Sequence, residues 1–232
     1  MDKLINAKPA VHRGPSLLLL ILVYCVFLTA SLLVPSVLRQ RAEYVSPYES
    51  VERIRDFFAA SPAAVRISGF LIFGSAIPLG LYTATVVSRL GFLGVRAAGT
   101  YITLFGGWMA AGALAVCGVL VWILSLPAVV ASLSVVQAVN FLSFLFGGMV
   151  FAVGSGLLIA GLSVTGGLSK LLPRTVAVMG LVLALSGELS SLSLLTHPAT
   201  VFLPMTRFGG LLWLIVAAVL LPQKRREEGD HA

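Results

Sequence analysis

Apolar blocks of about 20 residues recur along this chain, and that is the length an α-helix needs to cross about 30 Å of hydrocarbon at 1.5 Å per residue. Six such blocks occupy residues 17–38, 63–88, 98–124, 139–163, 175–196 and 205–221. No water inside a bilayer satisfies backbone N–H and C=O groups, so a helix, which bonds within itself, is the conformation open to each block. Composition closes the alternative: 58% of the residues are hydrophobic and 11% charged, against roughly 25% charged in a soluble domain. The expected fold is an all-α membrane protein, a six-helix transmembrane bundle over residues 17–222 between an N-terminal segment (1–16) and a charged tail (223–232).

Orientation follows from the basic residues, because positive loops tend to stay in the cytoplasm. Ten Lys and Arg fall on the side of the two termini, among them Lys3, Lys8, Arg13 and Lys224, and six on the other. Both termini are therefore expected in the cytoplasm. The first block follows three cations as a signal peptide would, but its apolar stretch exceeds the roughly 7–15 residues of such peptides and no A-x-A site follows. It is expected to remain as a helix.

The first loop holds Glu43, Glu49, Glu52 and Asp56 beside its arginines. Ser46-Pro47-Tyr48-Glu49 matches a capping box with Pro at the first helical position, and Val51, Ile54 and Phe58 recur at helical spacing. A short amphipathic helix is expected in this extracytoplasmic loop, lying on the membrane surface or packed over the mouth of the bundle. Ser61-Pro62 repeats the signature and should open the second span. Residues 128–140 fit an interfacial turn, a re-entrant piece or an extension of the fourth helix, with Asn140, Gln137, Phe141, Phe144 and Phe146 as an anchor at its outer end.

Small residues every four positions line one face of several helices: Ala76, Gly80, Ala84 and Ser88; Thr103, Gly107, Ala111 and Ala115; Gly148, Ala152, Gly156 and Ala160; Gly180 and Ala184. Such faces let backbones approach closely, which is how helices associate in lipid, or they line a narrow path. The last face continues to Glu188, the one acidic residue inside any block. An ionisable group at membrane depth is costly and is a functional candidate by default. Its possible roles are a carboxyl that pins helix register, a proton or ion relay, or a substrate contact, with Arg66, Arg207 and His197 as the charge partners near the same boundary. Pro78 removes a backbone hydrogen bond within the second span, and a kink is expected there.

Gly154-Ser155-Gly156 completes neither a nucleophile elbow nor a dinucleotide fingerprint. The three histidines and two cysteines, Cys25 and Cys117, have no metal or redox spacing. No catalytic residue, metal or cofactor is expected, and the net charge of +7 sits at block ends, as topology signals and not as a nucleic-acid surface. The echo of Ser88-Arg89-Leu90-Gly91 in Thr206-Arg207-Phe208-Gly209 is too short to define a repeat.

On Phe73-Gly74-Ser75-Ala76-Ile77-Pro78-Leu79-Gly80, Ser88-Arg89-Leu90 and Gly94-Val95-Arg96, the chain resembles uncharacterised bacterial inner-membrane proteins of unknown function. The resemblance implies a multi-pass protein of the bacterial inner membrane and brings no substrate or cofactor. Two roles stand: a transporter of a small solute or ion using Glu188, or an accessory subunit binding other membrane proteins or its own copies in the bilayer. A lipid-modifying enzyme needs converging polar groups that these blocks lack.

Overall fold

The computed structural model describes residues 11–38 and 45–224. The outermost N-terminal residues, the tail beyond Lys224, and Arg39, Arg41 and Glu43 of the first loop lie outside the described residues. Seven helices organise the rest: α1 (Leu17–Leu38), α2 (Val51–Ala59), α3 (Pro62–Phe92), α4 (Ala98–Ile123), α5 (Leu133–Leu168), α6 (Arg174–Leu194) and α7 (His197–Leu220). All but α2 are long and apolar enough to span a membrane. The described residues contain no β-strand, and the protein is an all-α, six-span bundle.

Successive spans pack on one another, and α7 closes the bundle against α6, α5 and α1. Helix α1 shows how little burial this takes: Leu17, Ile21, Tyr24, Leu28 and Ser31, at three- and four-residue intervals, form its buried stripe, while Leu19, Val26 and Leu33 face outward as a lipid-facing surface does. At the end of the bundle that carries the termini, Leu17, Ile21, Leu79, Tyr82, Leu90, Leu158, Leu162 and Trp213 fill the interior. Tyr82 donates to the Leu214 carbonyl at 3.1 Å and Trp213 Nε1 to the Val176 carbonyl at 2.8 Å, tying α3 and α6 to α7.

The spans touch where glycines leave room. A Cβ on Gly118 of α4 would sit 2.5 Å from Phe73 N and 2.8 Å from the Gly69 carbonyl of α3, and one on Gly154 of α5 would sit 2.6 Å from Ala110 N of α4. Gly156 and Gly187 make the equivalent α5–α6 crossing, where a Cβ on Gly187 would lie 2.7 Å from the Ala152 carbonyl. Of the expected small faces, Ala76, Ala111, Ala152 and Ala184 are buried, and Gly107 packs on Thr83 and Gly180 on Ser163 and Trp213. Gly80 and Gly148 meet only ordinary contacts, with Ala111 and Leu203, Ala160 is half-buried, and Ala84 is exposed. The four-residue rule found the right helices, but part of each close approach uses glycines at other intervals, such as Gly69, Gly118 and Gly154.

Span limits differ from expectation mainly at three places. Helix α3 runs on to Phe92, past Arg89, which is buried and donates to the Leu221 carbonyl at 3.4 Å. Residues 128–140 resolve into a single turn, Pro127–Val130, and then the start of α5 at Leu133, so the segment is largely an extension of the fourth span. Helix α7 begins at His197 and not at Met205, because Pro198 opens a 3-10 turn that the chain continues through Pro204. The capping box also acts differently. Ser46 N–H donates to Glu49 Oε1 at 3.2 Å and Tyr48 N–H to Ser46 Oγ at 3.3 Å, closing a turn, while α2 starts later, after Ser50. Ile54 and Phe58 of α2 are buried against Val65, Leu124, Val130 and Val136, so α2 is a cover over the mouth of the bundle. Pro78 is buried inside a helix that runs unbroken through it.

At the opposite end the first and last described residues meet. Val11 and Lys224 form an antiparallel bridge, His12 N–H donates to the Gln223 carbonyl at 3.0 Å, and the His12 ring bonds Ser88 Oγ at 3.0 Å.

Candidate functional site

Beneath α2 the bundle is not filled. A cavity of about 770 Å³ lies among α1, α3, α4, α5 and α7, walled by aliphatic and aromatic side chains such as Leu28, Ile72, Leu114, Val121 and Leu203. Ser31, Asn140, Ser143 and Arg207 add polar groups to the wall. Its size falls within the roughly 300–1,000 Å³ of ligand sites.

Arg207 is the chemical centre of this cavity. It stands ten residues after the α7 start at His197, roughly 15 Å along the axis at 1.5 Å per residue, about halfway through the span. Two local distortions accommodate it. Both α5 at Phe146–Val150 and α7 at Met205–Gly209 widen into a π-helical turn, a bulge that interrupts the regular ladder and is frequent at functional sites. The Arg207 guanidinium donates to the Gly147 carbonyl in the first bulge and lies over the Phe151 ring, 5.2 Å from its centroid. Gly147 makes room there: a Cβ at this position would sit 2.5 Å from Cys117 Sγ, so the thiol would have to turn away. A carbonyl and a ring face leave the positive charge formally unneutralised, and among the described residues Arg207 forms no ion pair with a carboxylate. A charge at the centre of a span costs about 2.5–3.5 kcal/mol on insertion scales.

Asn140 supplies a second unmet donor. Only 8% of the residue is exposed, and its amide nitrogen Nδ2 has no hydrogen-bond partner among the described residues. An unpaired buried donor costs about 1–3 kcal/mol. Asn140 lies in the cavity wall because α5 begins early enough to carry it inside. Ser143, one turn on, gives its hydroxyl to the Asn140 carbonyl at 2.8 Å.

The mouth toward α2 is covered. Tyr48 packs edge-on against His197 at 4.6 Å, Phe141 at 5.6 Å and Phe144 at 6.0 Å between centroids, and Phe57 and Phe58 complete the roof. His197 thus contributes a ring to the roof.

The other candidate residues are scattered. Glu188 is exposed on α6 and does not line the cavity; the described residues give it no ion pair with Arg66, Arg207 or His197. Its carboxylate lies beside the α5–α6 crossing, where a Cβ on Gly156 would be 3.3 Å from Oε1. Arg66 reaches Ser125 Oγ at 3.5 Å and edges a separate apolar groove of about 570 Å³ between α3 and α4, with Phe70, Phe73 and Trp122. The described residues contain no cluster of His, Cys, Asp and Glu suited to a metal.

Sequence reasoning placed Arg207 at a boundary as a partner for Glu188. The missed signal was Gly147, whose carbonyl in a bulged stretch of α5 meets the Arg207 cation. No protein-family model, curated protein or solved structure matches the chain.

Proposed function

We propose that this membrane protein binds an anionic group in the α2-end cavity and serves as a carrier loaded from that side, with Arg207 as the fixed countercharge. The observation that carries the reading is an arginine halfway along a span, bonded to a carbonyl and a ring face but to no described carboxylate, in a cavity whose wall also holds the unpaired Asn140 amide. An anionic acceptor at the guanidinium supplies the missing countercharge, and charge-assisted hydrogen bonds are about twice as strong as neutral ones. The filled half beyond, at Leu79, Tyr82, Leu158 and Trp213, gives the bundle the form of a carrier closed on one side. With both termini in the cytoplasm, as the loop charges favour, loading is from outside.

The test uses hexanoate and inorganic phosphate as probes on purified protein in detergent. A ligand at 100 times its dissociation constant stabilises the folded state by about 2.7 kcal/mol. At least one probe should raise the unfolding midpoint saturably, and Arg207→Gln should remove that rise while remaining folded. An equal rise in the variant, or none with either anion, rejects the reading. A role for Glu188 in coupling a proton or ion is a separate proposal, supported by its position beside the α5–α6 crossing; Glu188→Gln should then abolish flux in proteoliposomes without altering anion binding, and unchanged flux removes it.

A further inference from the structure

We infer that the ligand is a membrane amphiphile, an acyl chain with a single anionic head, that enters the cavity sideways from the bilayer between α1 and α7. The inference rests on the anion-binding reading of Arg207.

Route and wall chemistry both point to it. Helix α1 packs against α7 chiefly along Gly210–Leu220, the half of α7 next to the termini. In the other half both helices line the cavity, with Leu32 and Ser36 on α1 and Pro204 and Phe208 on α7. Leu32 is 46% and Phe208 53% exposed, so this flank faces the apolar surroundings of the bundle. The route from the water side is roofed by Tyr48 and by α2, whose Ile54 and Phe58 are buried. A soluble anion would have to displace that roof, whereas a lipid-borne one already lies beside the window. The wall then matches an amphiphile in two parts: Arg207 for the head, and aliphatic side chains such as Leu28, Leu114 and Leu203 for the first part of the chain. The rest of the chain extends through the window among lipid tails, its apolar surface never exposed to water.

Carboxylate and phosphate heads share this chemistry, so two photoactivatable, alkyne-tagged probes separate them: a palmitate analogue and a lysophosphatidate analogue, each in neutral phosphatidylcholine nanodiscs holding the full chain. Labelled sites are mapped by mass spectrometry. At least one probe should label residues 28–36 and 203–208, at least tenfold less in Arg207→Gln, and the one that does identifies the head. Narrowing the window with Ser36→Trp, or with Leu32→Trp if the first does not fold, should lower acyl labelling about as much; the Arg207-dependent thermal shift by hexanoate or phosphate is read in parallel on the wild type. If that shift is present but neither acyl probe gives Arg207-dependent labelling, the ligand is a soluble anion entering past α2: the inference falls and the anion site stands. If shift and labelling are both lacking, both fall. Labelling that neither tryptophan variant reduces overturns the lateral route.

Discussion

A single cation sets the terms of the site. Arg207 is a boundary charge when the last span is taken to start at Met205, and a mid-span charge once Pro198 and Pro204 are seen to lie inside its first turns. Proline is tolerated in the first turn of a helix, so a Pro followed by an apolar run marks a start only to within a turn or two, and here that shift moved the most informative residue from the boundary to the interior. Chemistry at this position should be specific to the planar guanidinium. Arg207→Lys keeps the charge but loses the fork and the flat face over Phe151, so anion affinity should fall by roughly tenfold, about 1.4 kcal/mol, in the same thermal titration that shows complete loss for Arg207→Gln. Equal affinity in the lysine variant would mean that charge alone holds the ligand. Asn140 was legible as a polar residue near a helix end but not as an orphan donor, because its burial depends on α5 beginning at Leu133.

Among the elements, the spans themselves were the most legible part, since hydrocarbon thickness fixes their length and the absence of water fixes their conformation. Contact geometry was less so. Four-residue spacing identifies faces that permit close approach, but which glycine takes the approach depends on crossing points between neighbours. Gly154 and Gly118 are such points, and Gly112 is not: nothing lies within 4 Å of a Cβ added there. Gly154→Val should therefore lower stability by about 1–3 kcal/mol, the usual cost of overpacking, while Gly112→Ala should be neutral or stabilising by up to about 1 kcal/mol. Reversible unfolding in mixed micelles compares the two, and a reversed order would show that α4 and α5 do not meet at Gly154. The π-helical turns had no clear periodic signature, because one extra residue in a turn leaves the apolar pattern on either side intact.

For the molecule as a whole, the bundle is closed at the end where Val11 meets Lys224 and hollow at the other, a division invisible in a sequence whose apolar blocks look alike from end to end. Whether two helices diverge depends on which pairs touch along their full length. The closed end should respond to pH through His12, whose pKa is held below its ordinary value of 6.5 by burial and then by the positive charge of Arg89. Between the lowered and the ordinary pKa the unfolded chain binds more protons than the folded one, so stability rises with pH in that window. The contribution is complete above about pH 6.5 and is lost as the pH falls through the folded value. Unfolding midpoints from pH 5 to 8 should accordingly drop on the acid side more steeply for the wild type than for His12→Gln; parallel curves would show that the His12 contact contributes nothing to that dependence.

The bridge between Val11 and Lys224 also means that this chain is nearly a ring. Residues paired across antiparallel backbone have Cα atoms about 4.5–5.5 Å apart, so a linker of a few residues replacing the outermost ends could join them. New ends could then be opened at Ser169–Lys170, an exposed turn on the same side of the bundle where Lys170 adopts φ 55°. The permuted order would run from α6 and α7 through the joined ends to α1 and on to α5, with every span keeping its direction across the membrane. Anion binding by such a permutant would show that neither end of the chain, as an end, is needed to build the site.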